Sequence, residues 1–170
     1  MPDYDVRPLE PSDFETLMAL EQDLFGDKGE KTLGPFYVRL CCDFFGETCF
    51  LAFADGEPVG YCLSFVRGRE AYCSTLAIVP AHQRSRLVFR FVQAFIGAIV
   101  SRVDTVWFTV HESNADARAL HATLGAREIG SHDAYFGPGE PRIVSRIDRM
   151  AFEKLRTRMR RLGLIPAAVA

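Results

Sequence analysis

The chain has 170 residues, 48% hydrophobic and 25% charged, which is long and apolar enough to bury a sizeable core. Its net charge of −2 leaves no overall electrostatic footprint for nucleic acid, and no stretch reaches the roughly 18 apolar residues of a membrane span. The five cysteines form no CxxC pair and stand apart from the four histidines, which argues against a disulfide framework or a metal site and for reduced, mostly buried thiols in a cytoplasm.

Tyr4–Leu9 alternates as a short strand does. Ser12 can cap the helix that follows, with Glu15 three residues on; Phe14, Leu17, Met18, Leu20, Glu21 and Leu24 form its stripe. After a polar loop at Gly26–Lys31, Leu33–Phe45 reads as a second helix with Phe36, Leu40 and Phe44 at four-residue spacing. Cys49–Ala54 and Val59–Val66 are apolar runs joined through Asp55-Gly56, a strong hairpin signal. Gly68 ends the second run, and Glu70–Val79 follows as the next strand of a meander.

A short polar turn, Ala81–Ser85, then leads into a helix over Arg86–Val100 and a strand over Thr105–Val110. His111–Asn114 breaks the chain before a helix at Ala115–Leu124, which Gly125 stops. Ala126–Ser131 and Ile143–Ile147 read as the last strands, around a turn-rich loop at Tyr135–Pro141. Met150–Leu162 is an amphipathic helix with Phe152, Leu155, Met159 and Leu162 on one side, and Pro166–Ala170 is expected to fray. Antiparallel strands followed by strand–helix–strand–helix–strand–strand make the class α+β, with one right-handed parallel crossover at 70–110.

Two segments carry a family resemblance. Leu76-Ala77-Ile78-x-Pro80-x-His82-Gln83-Arg84-x-Arg86-Leu87-Val88 resembles the acyl-CoA-binding segment of the GCN5-related N-acetyltransferases, L-A-V-x-P-x-Y-R-G-x-G-I-G/A, with Arg84 and Arg86 at the two loop glycines. Val110-x-x-x-Asn114-x-x-Ala117-x-x-Leu120-His121-x-x-x-Gly125-Ala126 resembles the family's V-x-x-x-N-x-x-A-x-x-L-Y-x-x-x-G-F, and Tyr135–Glu140 resembles a tail frequent in these enzymes. The opening Arg7-Pro8 with Asp13 resembles their first strand–helix unit, so the resemblance spans roughly residues 4–148. It implies a mixed, mostly antiparallel seven-stranded sheet flanked by helices. The domain would cover residues 1–148, with 149–170 as a helical extension packed on it or on a partner.

The resemblance also assigns sites. Backbone groups of Leu76, Ala77 and Ile78 would align the pantetheine arm, and the amide near Ile78 would polarise the thioester carbonyl. The turn Gln83, Arg84, Ser85, Arg86, Leu87 and Val88 would hold the pyrophosphate; there the arginines either add charge-assisted bonds or fill and distort the loop. An arginine at a position requiring positive φ would cost about 1–2 kcal/mol. Asn114 and Ala117 stand where the family contacts the pantetheine arm, and Asn114 can also simply cap its helix. His121 takes the place of the usual tyrosine, the proton donor to the departing thiolate, and is otherwise a structural helix histidine. Tyr135 is the substitute donor, and Glu70 at the start of its strand is the candidate general base.

The activity implied is direct attack of a primary amine, of a small molecule or peptide, on acetyl-CoA or another acyl-CoA. Asp43, Glu47 and Glu140 can attract a cationic amine, and Leu40–Cys49 resembles the matching region of diaminobutyrate acetyltransferases, which points toward a small amine. Three other readings compete: a non-catalytic acyl-CoA-binding domain, an acyltransferase fed by an acyl carrier protein, and an interaction module that has lost the CoA site. Residues 142–170 hold eight Lys/Arg against two Asp/Glu, so the last helix is either a solvated face or a dock for an acidic partner. A homodimer is a further expectation; a membrane or nucleic-acid partner is not. The acidic opening, MPDYDVRP, has the character of no secretory leader.

Overall fold

A computed structural model describes residues 2–167. The strands are β1 (Tyr4–Pro8), β2 (Phe50–Ala54), β3 (Glu57–Arg67), β4 (Glu70–Ile78), β5 (Thr105–His111), β6 (Arg127–His132) and β7 (Arg142–Ile147). The helices are α1 (Phe14–Leu24), α2 (Pro35–Phe44), α3 (Arg86–Ile99), α4 (Ala115–Thr123) and α5 (Arg149–Arg161). The strands form one seven-stranded sheet in the order β1-β2-β3-β4-β5-β7-β6. Only the β4–β5 pair among the registered neighbours is parallel; α3 supplies the crossover this requires. The expected α+β class, strand count and C-terminal helix are all present. Of the segment expected to fray, residues 168–170 lie outside the described residues.

The chain divides into two compact units, residues 1–65 with 75–98, and residues 66–74 with 99–170. In the first unit Asp55 and Gly56 take φ of 52° and 87°, the pair of left-handed residues that a two-residue type I′ hairpin requires. Its core gathers Leu17, Leu20 and Leu24 of α1, Val38, Cys41 and Cys42 of α2, and Leu51, Tyr61, Leu63 and Ala77 of the sheet. α3 buries Leu87, Phe91, Phe95, Ile96 and Ile99, the stripe its sequence spacing gives.

One expectation needs correction here. Ser12 does not cap α1: a 3-10 turn at Pro11–Asp13 precedes the helix, and Asp13 accepts from the Glu10 N–H at 2.8 Å. Asp13 is fixed by a bidentate pair with Arg7 at 2.7 and 2.8 Å, the structural content of the Arg7…Asp13 motif. In α2 the four-residue stripe of Phe36, Leu40 and Phe44 faces solvent, because Val38, Cys41 and Cys42 on the other side fill the core.

In the second unit β5 pairs with β4 through Glu70↔Thr105 to Cys73↔Phe108, and with β7 through Val106↔Ile147 to His111↔Arg142. Asp148 caps α5 by accepting from Ala151 N–H at 2.9 Å. α5 packs on β5 and β7 and buries Phe152, Leu155 and Met159, and Arg156 donates to the Val103 carbonyl at 3.2 Å. No helix among the described residues is long and apolar enough to cross a membrane.

A Cβ on Gly60 would stand 2.7 Å from the Ala77 carbonyl oxygen and 3.2 Å from the Phe91 ring, so β3 has room there only for hydrogen. Gly60→Ala is expected to destabilise by about 1–3 kcal/mol through this overpacking. Gly130→Ala, with nothing within 4 Å of the added methyl, should change stability little. Urea midpoints of the two variants check the contrast.

Candidate functional site

The residues singled out by the sequence fall into two sets, one in each unit. In the first unit β4 ends at Ile78, a 3-10 turn spans Pro80–His82, and α3 begins at Arg86. Gln83 folds back so that its side-chain amide donates to the Ile78 carbonyl at 3.0 Å. Ser85 Oγ donates to the His82 carbonyl at 2.6 Å and accepts from the Leu87 N–H at 3.1 Å, so it serves as a cap for α3. Tyr4 OH meets His82 Nδ1 at 2.9 Å and ties the turn to β1.

Arg84, at a glycine position of the resembled motif, sits at φ +56°. An L-residue there carries strain of about 1–2 kcal/mol, which glycine would not. Arg84 and Arg86 are both exposed, whereas Leu87 is fully buried in the core side of α3. The turn therefore keeps a left-handed residue without a glycine and carries two exposed arginines at the start of a 14-residue helix.

Glu21 lies one turn below the loop between α1 and α2 and is buried. It accepts from the Leu33 N–H at 2.8 Å and from the Tyr61 hydroxyl, and thereby pins the end of that loop to β3. Burial, then this bond, pushes the Tyr61 hydroxyl far up from its usual pKa. The sequence contained the signal: a carboxylate inside the apolar stripe of a helix needs a buried partner.

In the second unit Glu70 accepts from Trp107 Nε1 at 3.1 Å and lies 3.5 Å from Arg67. Tyr72 OH meets Thr109 Oγ1 at 2.6 Å. Burial pushes the Tyr72 hydroxyl up; Thr109 and Arg142 oppose the rise and Tyr135 adds to it. Tyr135 packs edge-on against His132 and Phe136 and is partly exposed. His121, on α4, stacks on Phe108 with centroids 4.2 Å apart.

Trp107 and Phe108 are adjacent in β5, so their side chains leave the strand on opposite faces. Glu70, Tyr72 and Thr109 thus share one face with Trp107, and His121 lies on the other with Phe108. Glu70 and His121 are not brought together. Tyr72, and its pairing with Thr109, is the addition to the expected set; strand alternation places Tyr72 beside Glu70, but a partner 37 residues away is not readable from spacing. Asn114 caps α4, its Oδ1 accepting from the Ala117 N–H at 3.1 Å, so these two expected residues bond to each other.

His121 Nδ1 is buried with no hydrogen-bond partner among the described residues. Burial lowers its pKa to about 4, only partly opposed by Glu128. The ring is therefore neutral at pH 7, with one N–H to donate.

A profile of the acetyltransferase (GNAT) family matches residues 14–126. The chain belongs to that family. No curated protein sequence matches it. Among solved structures it is similar to the ribosomal-protein-S18-alanine N-acetyltransferase of Escherichia coli, at 23% identity and a TM-score of 0.69 over 85% of this chain and 92% of that one. It is similar to the diaminobutyrate acetyltransferase of Paenibacillus lautus in complex with L-2,4-diaminobutyric acid and coenzyme A, at 20% identity and a TM-score of 0.67 over 85% and 95%. Arabidopsis thaliana Naa50, in complex with a bisubstrate analogue of CoA and peptide, is similar at 14% identity and a TM-score of 0.72 over 84% and 97%. At these identities the likenesses establish the fold.

The His121 geometry gives a pH prediction. Its folded pKa of about 4 lies below the ordinary 6.5, so the unfolded chain takes up the proton first as pH falls. The contribution of the neutral ring is whole above pH 6.5 and shrinks by up to about 3 kcal/mol as pH drops toward 4. In His121→Phe, which keeps the stacking, this loss should vanish. Urea unfolding of both proteins across that range measures the difference; parallel pH profiles would contradict the assignment.

Proposed function

We propose that the protein transfers an acetyl or other acyl group from acyl-CoA to a primary amine of a small molecule or peptide. Residues 1–148 form the acyltransferase region and 149–170 its helical extension, working in the cytoplasm. The reading rests above all on the turn between β4 and α3, which holds Arg84 at φ +56° where the family motif has glycine. A backbone that keeps this conformation at a cost can still aim its N–H groups at a pyrophosphate, and Arg84 and Arg86 add charge-assisted bonds. Solved relatives of the same fold with coenzyme A or a CoA analogue support the donor class.

Leu76, Ala77 and Ile78 align the pantetheine arm through their backbone groups, and the Ile78 N–H polarises the thioester carbonyl. Gln83, by taking the Ile78 carbonyl, fixes that strand end. The face of β4 and β5 that carries Glu70, Tyr72 and Thr109 receives the amine. Glu70 removes its proton directly or through water, and the hydroxyls of Tyr72 and Tyr135 orient it. His121, neutral at pH 7 and across the sheet from Glu70, does not act as an imidazolium acid. Positioning of amine and thioester then supplies much of the rate.

The test is a comparison of ligands. The double variant Arg84→Ala, Arg86→Ala should raise the Kd for CoA by about tenfold or more. It should leave binding of a pantetheine lacking the nucleotide nearly unchanged. Equal loss for both ligands would remove the pyrophosphate role. Arg84→Gly, which relieves the left-handed strain, should be more stable than Arg84→Ala while losing the same nucleotide contact.

A further inference from the structure

Helix α2 presents a continuous apolar ridge to solvent. Phe36, Leu40 and Phe44 are 89%, 48% and 73% exposed. Their four-residue spacing stacks them along one face. Single exposed apolar residues are ordinary, but three large ones along one face of a helix mark an interaction surface.

The ridge reads the same in both directions, with Leu40 at its centre and a phenylalanine one turn to either side. Arg39 and Asp43 lie along one flank and pair at 3.5 Å. Arg39 is held in place by the Pro11 carbonyl at 3.1 Å and by the Phe14 ring, 3.9 Å from its guanidinium carbon to the centroid. We propose that this face is a homodimer interface, in which α2 of two copies packs antiparallel about a two-fold axis at Leu40. Phe36 of each copy then meets Phe44 of the other, as an isologous contact requires.

Charge selects this occupant. A two-fold axis perpendicular to antiparallel helices keeps the polar flanks on the same side. Residues whose numbers sum to 80 stand at equal height, so Arg39 of one copy and Asp43 of the other differ by only about 3 Å along the axis. The Arg39–Asp43 pair within each copy then exchanges for two symmetry-related Arg39–Asp43 pairs across the interface. A lipid surface would call for a basic flank, and here one arginine is matched by one aspartate. The three side chains expose roughly 400 Å² per copy. Two copies supply about half of a standard 1,600 Å² interface as its apolar centre, with the polar flanks as its rim.

Sedimentation velocity over a concentration series tests this on the full chain. The wild type should be a dimer. Leu40→Asp puts two like charges at the axis and should give a monomer with unchanged circular dichroism, since Leu40 is half-exposed. Asp43→Arg alone should raise the dimer Kd about tenfold or more, and adding Arg39→Asp should restore it by exchanging both pairs at once. A wild type that stays monomeric, including one whose α2 face instead binds anionic vesicles, overturns the proposal. So does a dimer that survives Leu40→Asp, or one that Asp43→Arg leaves intact.

Discussion

A chain that leaves a strand and enters a helix within a few residues must reverse direction, and here one residue of the reversal takes positive φ. Arg84 holds that place at +56°. Everything that makes the turn a candidate phosphate cradle follows from it. The reversal lets Gln83 reach back to the Ile78 carbonyl and lets Ser85 cap α3. It also delivers the first turn of the crossover helix that a parallel β4–β5 pair requires. A glycine would make the same turn without strain. The arginine trades about 1–2 kcal/mol of backbone strain for a charge at the mouth of the turn.

The sheet organises the second set of residues by alternation alone. Because Trp107 and Phe108 leave β5 on opposite faces, the carboxyl of Glu70 and the ring of His121 are separated by the sheet rather than gathered around one point. The face with Glu70, Tyr72 and Thr109 is partly buried and sets their polar groups beside the Trp107 ring. The His121 face is apolar, which is why the ring stays neutral. Where the resembled motif has tyrosine, His121 keeps one N–H and does not titrate near pH 7.

Most of the fold was legible in the sequence, because periodicity and turn chemistry act locally. Asp55-Gly56 set a hairpin, Gly125 ended α4, and each helix and strand fell within about two residues of its expected bounds. Where local spacing leaves the outcome open, the deciding contact is remote. Four-residue spacing puts Phe36, Leu40 and Phe44 on one face but does not say which way that face points; Val38 and two small cysteines decide it by filling the core. Ser12 does not cap α1 because a 3-10 turn at Pro11–Asp13 leads into the helix, its Asp13 carboxylate held by the Glu10 N–H and by Arg7 of the preceding strand. In the candidate site, the motif positions were readable, but Tyr72 with Thr109 and Glu21 with Tyr61 join residues 37 and 40 apart, and no local pattern encodes them.

The most direct measurement is thermal unfolding of the full chain with acetyl-CoA, CoA and longer acyl-CoAs, each titrated to saturation. A ligand at about 100 times its Kd adds about 2.7 kcal/mol, which for a domain of this size raises Tm by roughly 5–10 °C. The account predicts a shift of that order with CoA, at least matched by one of its acyl thioesters. No shift with any of them would contradict a working cofactor turn at Gln83–Val88, and with it the acyltransferase reading.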